Sequence, residues 1–351
     1  MSENHIEANP PARSVHRLAV LAVCLVWPLI WIGGLVTTYD AGMAVPDWPA
    51  TYGYNLFLYP YKTWLLGPFD LFIEHGHRLL GAVVGLVAIA IVVACYLREP
   101  RKWVFYLSLG LLIAVIAQGL LGGMRVVLGD RTLAMVHGCF GPAFFALCVA
   151  MAVVTSRSWL RTSEDADRDL PQVGTPLVAA VAMLPLISYL QLVLGAQLRH
   201  VQPDAAPGGF AMIVAIHVMT AFLLWILTAI AWWRIRRCGD LTLSRPAACL
   251  IGLVGIQIAL GIGTWVVNYG WPSLLAWMPG ATGFLLRAKG FADSIIVTGH
   301  VATGSLILAV SVMLLVRLLR VRRRSSSVRE LSDSSAPNNT SHASVLQTAT
   351  A

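Results

Sequence analysis

Eight long apolar runs dominate this chain of 351 residues. A helix that crosses the hydrocarbon core of a bilayer needs roughly 20 mostly apolar residues, and each run reaches about that length. Only 12% of the residues are charged, against roughly 25% in a soluble domain, so the apolar surface requires lipid around it. The runs predict eight membrane-spanning helices at 18–36, 71–97, 103–124, 132–155, 175–198, 211–233, 246–268 and 292–316.

The basic residues indicate how these helices are oriented. Odd-numbered helices begin and even-numbered helices end on the same side of the membrane. Of the 25 Lys and Arg, 18 flank the helix ends on that side. Cytoplasmic loops carry the excess of Lys and Arg in membrane proteins. We therefore predict a multi-pass protein of a bacterial-type plasma membrane with both termini in the cytoplasm. The net charge of +8 is then a topology signal, and it does not indicate nucleic-acid binding.

Two halves of the chain look like copies of one unit, which predicts an all-α integral membrane protein built as two tandem four-helix bundles. Helices three, five and seven each carry Gln followed one turn later by Gly, at Gln118–Gly122, Gln191–Gly195 and Gln257–Gly261. Small residues let helices approach closely in lipid. We expect a cytoplasmic N-terminus at 1–17, a first half at 18–155, a cytoplasmic linker at 156–174, a second half at 175–316 and a disordered cytoplasmic tail at 317–351.

Each even-numbered helix carries a histidine near its predicted outer end that is followed one turn later by a small residue. Ionisable groups inside a membrane are costly and usually functional. Two bis-histidine heme sites would use all four, because heme iron takes axial imidazoles and helical bundles can hold them. A mononuclear metal site is the alternative, although such sites usually add carboxylates or thiols. The histidines are His77, His137, His217 and His300, followed by Gly81, Gly141, Ala221 and Gly304.

Glu74 makes the histidine-bearing helices unequal. It lies three residues before His77, hence on the same helix face, and the other three helices have Ala or Val at that offset. A carboxylate beside a ligand suits proton transfer, for which a bare electron carrier has no use. An ion pair with Arg78 is the alternative role. Arg78 also follows the histidine directly and is a candidate for contact with a heme propionate.

Several motifs together resemble the heme A synthase family. They are E-x-x-H-R in the second helix, His in helices four, six and eight, Q-x-x-x-G before outer loops, R-H at Arg199–His200, and D-A-G-M-A-V-P-D-W-P at Asp40–Pro49. The resemblance covers nearly all of 18–316. It implies eight helices with an internal four-helix repeat, a substrate heme in the N-terminal half and a permanent heme b in the C-terminal half.

Residue roles follow from the same resemblance. By position, His77 and His137 match the axial ligands of the substrate heme, and His217 and His300 match those of heme b. Glu74 matches the catalytic glutamate of the family. Many members have a cysteine pair in the first outer loop, whereas this sequence has no cysteine between Thr37 and Asp70.

The implied activity is that of an oxidoreductase. It would oxidise a methyl group of heme O to the formyl group of heme A for terminal oxidase assembly. The implied partners are heme O and heme A, the lipid bilayer, heme O synthase and terminal oxidase assembly factors.

Other functional classes share some of these features. A diheme b-type transmembrane electron-transfer cytochrome has the same use for four histidines but none for Glu74 or the first outer loop. Heme O synthase needs Asp-rich motifs to hold Mg²⁺ and diphosphate, and the sequence contains none. A transporter site lies near the bilayer midplane, whereas these histidines lie near one face.

Overall fold

The computed structural model describes residues 13–160, 173–200, 206–271 and 290–335. Within these residues, eight helices are long and apolar enough to cross a membrane, and no strand forms beyond an isolated bridge between Thr51 and Tyr54. The predicted all-α membrane protein with eight spans is confirmed. The spanning helices are α1 Arg13–Thr38, α2 Phe69–Arg98, α3 Lys102–Leu128, α4 Arg131–Val154, α5 Thr175–Arg199, α6 Pro207–Arg237, α7 Leu241–Tyr269 and α8 Phe291–Ser335.

The helices extend beyond the apolar runs, because backbone hydrogen bonding continues where the chain leaves the hydrocarbon. The largest extension is at α8, which continues through residue 317 to Ser335. The first part of the predicted disordered tail is therefore helical, and its many Arg and Leu residues favour that conformation. Residues 336–351 of the predicted tail lie outside the described residues, as do 1–12 of the predicted N-terminus and 161–172 of the predicted linker.

Local sequence sets the tight connection between α3 and α4. Gly129 ends α3 with a φ of 60°, a left-handed conformation that glycine adopts at little cost. The side chain of the next residue, Asp130, accepts hydrogen bonds from the backbone N–H of Thr132 (2.6 Å) and Leu133 (3.1 Å). This N-cap satisfies free donors at the start of α4. The short connection makes α3 and α4 antiparallel neighbours.

Two hydrophobic clusters divide largely along the predicted halves. One joins α1, α2, α3 and α4, and the other joins α5, α6 and α7. Helix α8 contributes to both, with Leu308 and Ala309 in the first and Ile307 and Leu314 in the second. It also contacts α1, α4, α5 and α7. The halves thus share α8, and two tandem four-helix bundles remain a prediction.

Residues 39–68, here called the outer loop, cover the end of the helices at which even-numbered helices begin. We call this end the histidine end. Arg78 of α2 donates to the carbonyl oxygens of Val45, Asp47 and Ala50 at 2.7, 2.6 and 3.2 Å. The Trp48 ring lies directly against Gly123 of α3, where a Cβ atom would overlap it. The loop is therefore fixed to two helices of the first half.

Candidate functional site

The four predicted histidines meet as two pairs at the histidine end. His77 of α2 faces His137 of α4 with the ring centroids 6.4 Å apart and the planes at 83°. His217 of α6 faces His300 of α8 with centroids 6.3 Å apart and planes at 68°. We call these the first and second pair. Each half of the chain thus builds one pair from its own two even-numbered helices.

The spacing within each pair fits two axial ligands on opposite faces of one iron. With a metal–nitrogen bond of about 2 Å and about 1 Å more to each ring centre, two such imidazoles have centroids roughly 6 Å apart. The Nδ1 atoms of His77, His137 and His217 are buried without a hydrogen-bond partner. In His77 and His137 this nitrogen lies on the side of the ring that faces the glycine of the preceding helix, 3.3 and 3.4 Å from the Cβ positions of Gly33 and Gly122, so Nε2 is the nitrogen left for a metal.

The described residues do not build the alternative metal site with mixed ligands. Nowhere in those parts of the chain do three His, Cys, Asp or Glu side chains come together as a ligand set. All six cysteines are free thiols. Among the described residues, each pair therefore supplies two imidazoles and no third ligand of these types.

A glycine on the preceding odd-numbered helix lies against each histidine. A Cβ atom built on that glycine would meet the Cε1 atom of the imidazole, so the ring edge occupies the space that a side chain would fill. This contact repeats in all four helix pairs, and it explains the predicted Gly positions. The pairs and the Cβ–Cε1 distances are Gly33–His77 at 2.8 Å, Gly122–His137 at 3.0 Å, Gly195–His217 at 3.5 Å and Gly261–His300 at 3.1 Å.

The Gln residues one turn before three of these glycines hold the histidine helices. The Nε2 of Gln118 donates to the His137 carbonyl at 3.3 Å, and that of Gln191 donates to the His217 carbonyl at 2.7 Å. Gln257 contacts the His300 ring twice, through its side-chain Nε2 to Nε2 at 3.5 Å and through its backbone carbonyl oxygen to Nδ1 at 3.2 Å. In the Q-x-x-x-G pattern, the Gln thus bonds to the histidine of the next helix and the Gly contacts the ring of that histidine.

The small residues that follow the histidines have different surroundings. A Cβ on Gly81 would meet nothing within 4 Å, so this position leaves open space beside His77. A Cβ on Gly141 or Gly304 would approach the Nε2 of Gln118 or Gln257, at 3.4 and 3.2 Å. Open space that a flat macrocycle could use is therefore found beside Gly81, whereas the other two glycines make room for the Gln side chains.

Glu74 is buried one turn before His77, with 1% of its surface exposed. Its Oε2 accepts a hydrogen bond from the Val45 N–H at 2.8 Å, and its Oε1 pairs with Arg78 at 2.9 Å. The ion pair considered from sequence therefore forms within α2, and the Val45 bond ties the outer loop to this helix. A carboxylate held in this way is positioned rigidly beside the first pair. Its catalytic role stays a prediction.

Arg78 uses its terminal N–H groups on the outer loop and Glu74. It makes three bonds to loop carbonyls and one to Glu74. These four bonds match the number of its terminal N–H donors. A heme carboxylate would therefore have to use the fifth donor, Nε–H, or displace one of these bonds, and the propionate contact stays a prediction.

His75 was not assigned a role from sequence and is buried beneath the outer loop, with 1% of its surface exposed. Its Nδ1 contacts the Thr51 hydroxyl at 3.2 Å, and the rings of Tyr59 and Trp64 lie 5.3 and 5.0 Å away. It points to the loop and away from the histidine pairs, since a residue two positions from His77 lies on another face of the helix.

Arg199 joins the two halves at the histidine end. From the last turn of α5 it donates to the Gly34 carbonyl and the Thr38 hydroxyl of α1, both at 2.6 Å. Next to it, burial and the neighbouring Arg199, Arg125 and Arg131 lower the pKa of His200 to about 4. An arginine at the end of an apolar run was the sequence signal for this contact, although its partner was not evident.

Comparison with known proteins adds an independent observation. The model of the COX15-CtaA family, described as a cytochrome oxidase assembly protein, matches residues 16–206, more than half of the chain. This chain belongs to the COX15-CtaA family. The match spans α1 to α5 and includes Glu74 and the first pair, and the second pair lies beyond it.

Two relatives of this COX15-CtaA protein are named heme A synthase. That of Symbiobacterium thermophilum is 25% identical over 268 residues, which cover 71% of this chain and 83% of the relative. That of Shouchella clausii is 28% identical over 203 residues, which cover 57% and 64% of the two chains. The resemblance to heme A synthases drawn from the sequence is confirmed at the level of the family.

Proposed function

We propose that this chain is a heme A synthase that oxidises a methyl group of heme O to the formyl group of heme A. The observation that carries the proposal is that the two histidine pairs have similar geometry but different neighbouring side chains. Both histidine pairs have the spacing of axial heme ligands, yet only the first has a buried carboxylate one turn away. A site for chemistry and a site for a permanent group need this difference.

Heme O is the substrate at the first pair, held by His77 and His137. The methyl group gains oxygen from water in two oxidations, first to an alcohol and then to a hydrate that loses water to give the formyl group. Each oxidation releases two electrons and two protons. In this proposal Glu74 accepts a proton or orients the water. Arg78 and the Val45 N–H keep the carboxylate in place beside the reacting edge.

The second pair, His217 and His300, fits heme b as a permanent group. When bound there, heme b supplies one-electron transfer to an acceptor outside this chain. The chain contributes the position of that group, because Gln191 bonds to the His217 backbone carbonyl and because Gln257 and Gly261 contact the His300 imidazole. We further propose that heme O synthase supplies the substrate and that terminal oxidase assembly factors receive heme A, at a bacterial plasma membrane.

Analysis of extracted heme tests the activity. The full chain is expressed beside a heme O synthase in cells that make no heme A, and extracted hemes are separated by chromatography and mass. We expect heme A, with none in cells carrying the empty vector or the His77→Ala variant. Purified protein that is loaded with heme while the extract contains heme O alone contradicts the proposal.

A diheme electron-transfer cytochrome is the second candidate. It is favoured by the engagement of both Glu74 oxygens with Val45 and Arg78, which is the arrangement of a structural ion pair. The same preparations distinguish the two functions. A cytochrome gives two reducible hemes of unaltered structure and no oxidised product, whereas the synthase converts the heme at the first pair.

A further inference from the structure

Arg125 occupies the turn of α3 that lies between the first histidine pair and the outer loop. It follows Gly122, which contacts the His137 ring, by three residues and so lies near the same helix face. Its guanidinium packs against Gly42 of the outer loop, where a Cβ would overlap Nη1. Arg125 thus lies beside the first pair on the side away from the membrane centre.

This guanidinium is half-buried and makes no hydrogen bond or ion pair with any of the described residues. The two other arginines placed beside it have partners, since Arg78 bonds to the outer loop and Arg199 to α1. A partly buried cation without a partner is unfavourable unless a bound group completes it. Guanidinium donors match the geometry of a carboxylate.

The surrounding charges also favour an anion. Arg125 interacts electrostatically with Arg78 and His200 and with one acidic group, Glu74, and Glu74 is already paired with Arg78. His200 lies among Arg199, Arg125 and Arg131. Close to Arg125, two guanidinium groups, those of Arg78 and Arg125, thus face one carboxylate, and the described side chains that interact with Arg125 leave its positive charge unneutralised.

We propose that Arg125 binds a carboxylate of the macrocycle held by His77 and His137, and so determines how that macrocycle is oriented. The inference rests on the proposed function and deepens it. The two propionates of a natural heme share one edge of the ring, so anchoring that edge decides which methyl group faces Glu74. Arg125 is then a specificity-determining residue.

The second half has no cation at the matching place. The residue three positions after Gly261 is Thr264, whose hydroxyl is buried and without a partner. A permanent group needs no selection of one methyl over the others. Arg125 and Glu74 are therefore both features of the first pair, and the second pair has neither an arginine nor a carboxylate at the matching positions.

Heme-binding titrations test this assignment without using activity. Protoheme and its dimethyl ester, which lacks the carboxylates, are titrated into purified full-length protein and followed by absorbance. Heme binding that persists in the His77→Ala variant is taken as binding outside the first pair and is subtracted from the wild-type titration. We expect wild-type protein to favour the free acid over the ester by roughly tenfold or more, the size of one charge-assisted hydrogen bond.

The variants then locate the origin of this preference. Arg125→Gln should lose most of it by weakening the free acid alone, and Arg125→Lys should keep part of it. Arg131→Gln is the matched control, because Arg131 is an exposed arginine at the same end, and it should behave as wild type. Equal affinity of wild type for acid and ester, or full preference in Arg125→Gln, overturns the proposal.

The outcomes separate this inference from the proposed function. An arginine that instead binds an anionic lipid headgroup leaves the acid-to-ester ratio unchanged in Arg125→Gln, which also overturns the assignment. If the ratio falls as expected but the wild-type chain makes no heme A, the proposed activity is wrong and Arg125 still binds a heme carboxylate.

Discussion

Glu74 joins two roles in one residue, since it lies beside a predicted heme ligand and also holds the outer loop through Val45 and Arg78. Glu74→Gln separates them. Glutamine keeps the shape and accepts the Val45 N–H but cannot act as a base. We expect the variant to fold, to keep the heme of the second pair and to make about a hundredfold less heme A, which is the usual contribution of a general base. Heme O or the alcohol should accumulate.

A matched control is available at the opposite end of the bundle. Glu99 is also buried and pairs with Arg101 at 2.6 Å, far from the histidines. Glu99→Gln therefore removes an ion pair of similar kind without touching the site. If Glu74→Gln yields wild-type amounts of heme A, Glu74 is not catalytic. If it lowers expression and heme content as much as Glu99→Gln or more, its main role is structural.

Replacing the glycines beside the histidines by alanine should perturb heme binding to an extent that depends on how closely each glycine contacts the imidazole. Gly261→Ala puts a methyl group 3.1 Å from the His300 ring, which has to shift, whereas Gly195→Ala makes an ordinary 3.5 Å contact with His217. We expect the first variant to shift the low-spin heme spectrum and weaken heme retention, and the second to do neither. Gly255→Ala is the control, because a Cβ there meets nothing within 4 Å on the same helix. Equal behaviour of all three variants would refute this packing role.

Among the elements, the outer loop has its own internal support. The Asp47 carboxylate accepts the N–H of Tyr52 and of Gly53, each at 2.8 Å. Partial burial opposes ionisation, but these backbone bonds and Arg78 outweigh it and lower the pKa of Asp47 below its ordinary value of 3.8. The lowered pKa means that the ionised form stabilises the loop.

The sign of this linkage gives a prediction about acid. The stabilisation is fully present above pH 3.8 and is lost as the pH falls through the lower folded value. Amide hydrogen exchange at Tyr52 and Gly53 should therefore accelerate, relative to the intrinsic rate, only below about pH 4. In Asp47→Asn the exchange should be faster at neutral pH and lack that acid step. Asp70→Asn should keep the acid step, because the Asp70 carboxylate bonds to the adjacent Leu71 N–H and, among the described residues, to no loop amide.

At the scale of the whole molecule, the alternating direction of the helices puts the histidine end on one side of the membrane. Odd-numbered helices end there and even-numbered helices begin there, so the outer loop and both pairs share a face. The excess of Lys and Arg on the opposite side predicts that this face is extracytoplasmic. Alkaline phosphatase, which is active only outside the cytoplasm, should be active when inserted at exposed Leu58 and inactive at the C-terminus. The reverse pattern is incompatible with the predicted topology.

The sequence by itself determined the eight spans, the depth of the four histidines and the unequal position of Glu74. These are local properties, because apolar length sets a span and helical spacing sets which residues share a face. The Q-x-x-x-G repeat was visible in the same way, although its purpose was not. Helix α8 shows the limit of this reasoning, since composition alone placed its end near 317 and the helix continues to Ser335.

Only the tertiary structure decided which groups meet across helices. Arg78 and Arg125 are both arginines near the first pair, and the sequence favoured Arg78 for a heme carboxylate. The fold places Arg78 under the outer loop, where carbonyls take three of its donors, and leaves the Arg125 guanidinium without a hydrogen-bond partner among the described residues. Such contacts depend on the rotation of each helix about its axis and on the path of the outer loop over the helices. Packing among many side chains that are distant in sequence determines both.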